Sequence, residues 1–262
     1  MTQTEEFAAN AFAGIDDYIT PLLSEWKVPG MALAAVKDGE VAFARGFGKR
    51  NLTTDEEATS RTIFAIGSSS KAFTAATVAL LVDEGKLNWD VPVREYLPTF
   101  KLYDKMASER ITPRDLLIHN SGLPRHDLVW YRSSKSRQEL VAGLQYLEPS
   151  KDFRSTWQYQ NMMYATAGYL VERISGQRWE NFVQRRIFEP LGMTNSYMNE
   201  TGAREHATDY SLPYSEKDGE IKEIPFYSHW QALAPAGSIH SNVEDISKWL
   251  MLHLNNGKVG ER

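Results

Sequence analysis

Ser68 and Lys71 stand three residues apart in the run Gly67-Ser68-Ser69-Ser70-Lys71. At the start of a helix this spacing puts both side chains on one face, so a hydroxyl and an amine come within hydrogen-bond reach. The chemistry on offer is nucleophilic. Burial and the positive end of a helix both favour a neutral lysine able to take the serine proton, and the N–H groups of the same helix end can receive an oxyanion. Three serines before an apolar run also have a structural reading as N-caps. Lys71 speaks against it, because a cation in the first turn opposes the helix dipole by roughly 0.3–1 kcal/mol and a capping box would place Glu or Gln there. Ser68 is therefore the candidate nucleophile, and Ser69 and Ser70 are expected to cap or pack.

The elements that must hold these residues are legible from periodicity and turn residues. Apolar residues at helical spacing predict a helix over Ala8 to Glu25, closed by Pro29-Gly30. Two β-like runs, Met31 to Lys37 and Val41 to Gly46, flank Asp38-Gly39, a strong hairpin turn signal. The run from Lys71 to Asp83 is apolar nearly all round and ends at Gly85, which predicts a buried helix. From Leu87 to Met198 the pattern is of helices and proline-marked turns without long strands: Asp90 to Pro98, Thr112-Pro113 to His119, Gln138 to Leu147, Met162 to Ser175 and Trp179 to Phe188. Thr201 to Pro235 has weak periodicity, and a last helix is expected over Asn242 to Asn255, before Gly257. The fold class these elements imply is α/β of the α+β kind, an antiparallel sheet flanked by helices with a helical subdomain.

Composition narrows the function. The chain has 262 residues, 42% hydrophobic and 24% charged, with net charge −5 and no cysteine. That excludes disulfides, thiolate metal sites and a cysteine nucleophile, and with no basic stretch nucleic acid is not an expected partner. The six histidines show no ligand spacing, so neither metal nor cofactor is expected. No G-x-S-x-G elbow occurs. No run approaches the ~18 apolar residues of a membrane span, and Met1 to Ala13 does not read as a secretory signal, which points to the cytoplasm, or to the periplasm or exterior for a chain whose signal was removed. Trp130, Tyr131, Trp157 and Trp230 are candidates to line an aromatic cleft.

Tyr159-Gln160-Asn161 lies roughly ninety residues after Ser68, with His119-Asn120-Ser121-Gly122-Leu123-Pro124 between them. In this order and spacing the chain resembles the serine β-lactamase-like family, which includes class C β-lactamases, penicillin-binding proteins, D-aminopeptidases and family esterases. The resemblance runs through Pro29 to Gly48, the turn into Ser68, Ile111 to Pro124, Gly168 to Met193 and Ala236 to Leu250. It implies that Ser68 is acylated, Lys71 assists its deprotonation, Tyr159 passes the proton to the leaving group and Asn161 holds a substrate amide or carbonyl. A tyrosine titrates near 10 in water, so acting near neutrality requires a cation such as Lys71 beside it. The His119 to Pro124 segment is expected to be architectural, with Gly122 and Pro124 fixing a turn. Substrate would be a D-amino-acid peptide, a small ester or a β-lactam.

Two departures accompany the likeness. The family's third motif, a Lys or His before a small residue and Gly, is not found after Gly202, so the chain reads as one incomplete domain whose closing strands are missing: residues 1–66 for the first helix and hairpin, 67–200 for a mainly helical region with the site, and 201–262 for the return. An unpaired hairpin edge invites association, so a homo-oligomer or a complementing C-terminal segment is expected to complete the sheet, and a non-catalytic scaffold is the competing function. The pocket also differs: Phe153-Arg154-Ser155-Thr156-Trp157 precedes Tyr159, and Arg125-His126 follow the turn where class C enzymes line their pocket, which makes His126 and Trp157 candidate substrate contacts.

Overall fold

Phe12 to Gly14 break the first predicted helix into two. In the computed structural model, which describes residues 3–228 and 231–259, α1 (Gln3–Ala11) and α2 (Ile15–Glu25) are separated there, and Gly14 takes a left-handed φ of 71° at the head of α2. The apolar spacing was continuous, but the glycine supplies a conformation that a helix does not use. The chain continues through strands β1 (Gly30–Lys37), β2 (Glu40–Asn51), β3 (Glu56–Glu57) and β4 (Phe64–Ala65) to helix α3 (Ser70–Asp83). Short helices lead to α4 (Asn161–Ser175); beyond it come β5 (Tyr214–Lys217), β6 (Glu220–Glu223), β7 (His240–Ser241) and α5 (Val243–Leu254).

These elements form two compact units. One comprises Met1–Ala65, Phe188–Ser228 and His240–Arg262, the other Ile66–Ile187 and His229–Ile239. In the first, β1 and β2 pair antiparallel with Met31 opposite Phe47, and Asp38 and Gly39, both at positive φ, make the turn that the dipeptide predicts. Helix α5, capped by Asn242, packs on both strands. β3 extends the pair to three strands, and β4 pairs with β7. The hairpin β5–β6 was not predicted, although Asp218-Gly219 at its tip carries the same turn signal as Asp38-Gly39. Its strands are mostly exposed, so they lack the alternation that marks a half-buried strand.

The second unit is built around α3 and α4, which pack on each other. Phe73, Val78 and Leu81 from α3 and Met163, Leu170 and Val171 from α4 are buried completely or nearly so. A turn over Ala234–Gly237 lies against both helices. Gly168 permits that approach, since a β-carbon there would stand 2.2 Å from Cγ of Pro235. Among the described residues, Leu87 to Met198 holds no strand except an isolated bridge at Tyr197, and no helix is long and apolar enough to cross a membrane.

Two loops of this unit are zipped together. Gly122 accepts backbone hydrogen bonds from Ser150 and Lys151, Arg154 donates to Asn120, and Gln158 donates to His119. Gly122 sits at φ 81° with the Lys151 carbonyl 2.2 Å from where a β-carbon would be, so no other residue fits this turn unstrained. Beneath it the Asp115 carboxylate, 3% exposed, accepts from Thr112, from Asn120 and from both Nε and Nη2 of Arg154. Burial alone pushes this carboxyl up, but the bonds from Arg154, Asn120 and Thr112 outweigh it and hold the group below the ordinary carboxylate range.

Two outcomes test this packing. Gly168→Ala should lower stability by about 1–3 kcal/mol in urea unfolding, because the proline ring cannot yield as a flexible side chain would. Arg154→Met should cost about 1–3 kcal/mol at pH 7. A carboxyl whose pKa is lower folded than unfolded adds stability above its unfolded value of about 3.9 and loses it as pH falls through the folded value, so the gap between wild type and Arg154→Met should narrow in acid below about pH 4.

Candidate active site

The chain enters α3 through a 3₁₀ turn over Gly67–Ser69, in which side chains three apart eclipse. Ser68 is thereby set above Lys71, whose Nζ donates to Ser68 Oγ at 3.0 Å. The three serines divide as their spacing predicts, though none caps the helix: Ser69 stands at the N-cap without a capping bond, and buried Ser70 accepts from the Ile239 N–H. Ser68 itself is exposed.

Lys71 is 7% exposed and has two further acceptors, Asn161 Oδ1 at 2.9 Å and the Ala236 carbonyl at 2.6 Å. Ala236 is delivered by the turn that Gly168 admits, and Thr74 ties the same turn to α3 through the Pro235 carbonyl. Burial above all, and then the charge of Arg125, push the Lys71 amine below the ordinary lysine range; contact with Tyr159 opposes them without prevailing. A neutral amine suits this cage. It gives its two hydrogens to the two carbonyl oxygens and turns its lone pair to Ser68, whereas an ammonium gives the third hydrogen to Ser68 instead.

Tyr159 Oη lies 2.5 Å from Ser68 Oγ. Its backbone is held from both sides by one residue: Gln158 N–H donates to the His119 carbonyl at 2.7 Å, and Gln160 N–H donates to His119 Nδ1 at 3.1 Å. The imidazole also packs on the Tyr159 ring, 4.6 Å between centroids. Burial, followed by the charge of Lys71, pushes the His119 pKa down, which keeps the ring neutral with Nδ1 free to accept. Gln160 then leads into α4, its side chain accepting from Met162 N–H and donating to the Pro124 carbonyl. Behind Lys71, Tyr164 donates to the Leu117 carbonyl, and burial pushes its hydroxyl up to about 12.

Four predicted site residues, Ser68, Lys71, Tyr159 and Asn161, are thus drawn into one hydrogen-bonded cluster wholly within the second unit. Trp157, 67% exposed, stands beside it with its ring 6.3 Å from that of Tyr159. His126 heads the short helix Asp127–Trp130 at φ 48°, with Nε2 buried and without a hydrogen-bond partner; no hydrogen bond joins it to the four among the described residues. Of the aromatic candidates, Trp130 is buried and Tyr131 exposed, while Trp230 lies outside the described residues. Sequence reasoning expected the His119 to Pro124 segment to be architectural but gave His119 no contact, and it missed Ala236. His119 grips Tyr159 from forty residues away, and Ala236 contributes a backbone carbonyl, which no side-chain motif can announce. Among the described residues, no group of three or more His, Asp or Glu could hold a metal ion.

The likeness to known proteins agrees with this arrangement. An unguisins hydrolase of Aspergillus campestris is 30% identical over 95% of this chain and 48% of its own length. Protein flp of Staphylococcus aureus is 26% identical over 92% and 48%. The octameric penicillin-binding protein homologue from Pyrococcus abyssi superposes with a TM-score of 0.82 at 29% identity, over 94% of this chain and 57% of that one. The chain thus spans about half the length of the curated relatives it matches. The Beta-lactamase family model matches residues 15–262, and with the S-x-x-K and Y-x-N residues gathered into one cluster the chain belongs to that family, the serine β-lactamase and penicillin-binding protein group.

Proposed function

We propose that this chain is a serine hydrolase working through an acyl-enzyme on Ser68. The observation that carries this reading is the placement of one exposed hydroxyl within hydrogen-bond distance of both a buried lysine amine and a tyrosine hydroxyl. In acylation, neutral Lys71 takes the Ser68 proton as Oγ bonds to the substrate carbonyl carbon. The tetrahedral oxyanion would be met by the Ser68 N–H, in the 3₁₀ turn that leads into α3. Lys71, now an ammonium held by Asn161 and Ala236, returns the proton by way of Tyr159 to the departing amine or alcohol as its bond to carbon breaks. Water then repeats the sequence on the ester, and Ser68 regains its proton.

The substrate is an acyl donor of the family's range, a D-amino-acid peptide, a small ester or a β-lactam, with Asn161, Trp157 and His126 as contacts. A hydrolase among the relatives supports the hydrolytic reading, and the octameric state of the Pyrococcus homologue supports a homo-oligomer. The joining of Ser68, Lys71, Tyr159 and Asn161 in one hydrogen-bonded cluster also favours catalysis over a scaffold role.

With p-nitrophenyl acetate the full chain should show an initial burst. Ser68→Ala should abolish it while leaving the unfolding curve in place; a burst that survives would sink the reading. Lys71→Ala should cut acylation by about 10³-fold or more, and Tyr159→Phe should slow turnover roughly 10²–10⁴-fold, the range of a lost general acid–base. Full activity in either variant would remove that residue from the mechanism.

A further inference from the structure

Two basic side chains share one ring in this site. Lys71 Nζ lies 4.8 Å from the Tyr159 centroid, and the Arg125 guanidinium lies 5.1 Å from it. The first is buried; the second belongs to a side chain that is 60% exposed, and its Nε is held at 2.7 Å by Asp127. Asp127 is fixed in turn at the head of a short helix, where its other oxygen accepts from the buried Trp130 indole at 3.2 Å. The guanidinium is thus set one tyrosine ring away from the nucleophile.

The groups facing Lys71 are few. The 3₁₀ turn brings Ser68; the segment before α4 and α4 itself bring Tyr159, Asn161 and Tyr164; the 119–127 stretch brings His119, Arg125 and Asp127; and the 234–237 turn brings the Ala236 carbonyl. His119 and Tyr164 are neutral at neutral pH, for the reasons given above. The remaining pair, Arg125 and Asp127, are side chains of opposite sign.

Resting on the reading of Ser68 as nucleophile, we propose that Arg125 is a positioning residue and, with Asp127, an electrostatic dial on this site: Arg125 braces the Tyr159 ring and the pair sets the pH at which the Ser68–Lys71–Tyr159 cluster becomes competent. A positive charge beside Lys71 disfavours its ammonium form, and a negative charge favours it, so the two members act in opposite directions. The pair lies toward solvent, where its influence is partly screened and can be altered without opening the core.

The test is the pH dependence of kcat/KM for p-nitrophenyl acetate, an uncharged acyl donor on which Arg125 has no anion to bind. Arg125→Gln should move the rising limb to higher pH, with a loss of roughly two- to five-fold at pH 7 that closes as pH is raised. Arg125→Lys should restore the wild-type limb, and Asp127→Asn should move it to lower pH. Limbs that coincide in all variants, or shifts of the same sign in Arg125→Gln and Asp127→Asn, would each overturn the proposal. Activity surviving Ser68→Ala would instead overturn the reading beneath it, so the two failures are distinct.

Discussion

A lysine amine taken out of water is the constraint from which the rest of this site follows. Desolvation makes its charged form costly, and the protein meets that cost with oxygen acceptors from three separated parts of the chain: Ser68, Asn161 and Ala236. Each acceptor has its own support. Ser68 depends on the 3₁₀ entry to α3, Asn161 on the extended approach to α4, and Ala236 on a turn that comes close enough because residue 168 has no side chain. The same burial that makes the amine expensive to charge also holds its pKa down, so its packing and its protonation are set by one surrounding.

Tyr159 illustrates how a side chain beside the candidate nucleophile is held by backbone and packing contacts. The zipper of Gly122, Asn120 and His119 with residues 150–160 leaves the tyrosine little backbone freedom, and Asp115 with Arg154 secures the zipper from below. His119 adds a neutral ring against the phenol rather than a second titrating base. The histidine beside Tyr159 is thus a wall and a clamp.

Much of this was legible in the sequence, and what was not has identifiable causes. Helices α3, α4 and α5 and the β1–β2 hairpin follow from strong local signals: continuous apolar runs, an Asn cap, an Asp-Gly turn. The split of the first helix at Gly14 and the exposed β5–β6 hairpin went unseen, because hydrophobic periodicity is blind to one left-handed glycine and to strands that bury little. In the site, Ser68 and Lys71 were readable from spacing alone. Tyr159 and Asn161 needed the order of motifs along the chain. The roles of His119 and Ala236 were out of reach, since each acts through a contact fixed only when distant segments meet.

The last acceptor of Lys71 has a consequence for how the protein is made. Ala236 lies 165 residues further along the chain. At a synthesis rate of about 5–20 residues per second, the lysine leaves the ribosome on the order of 10–30 s before the carbonyl that completes its cage. During that interval the amine of α3 has only Ser68 and Asn161 available as oxygen partners. A second unit closed before residue 236 is made would lack one of the three oxygens that surround its lysine.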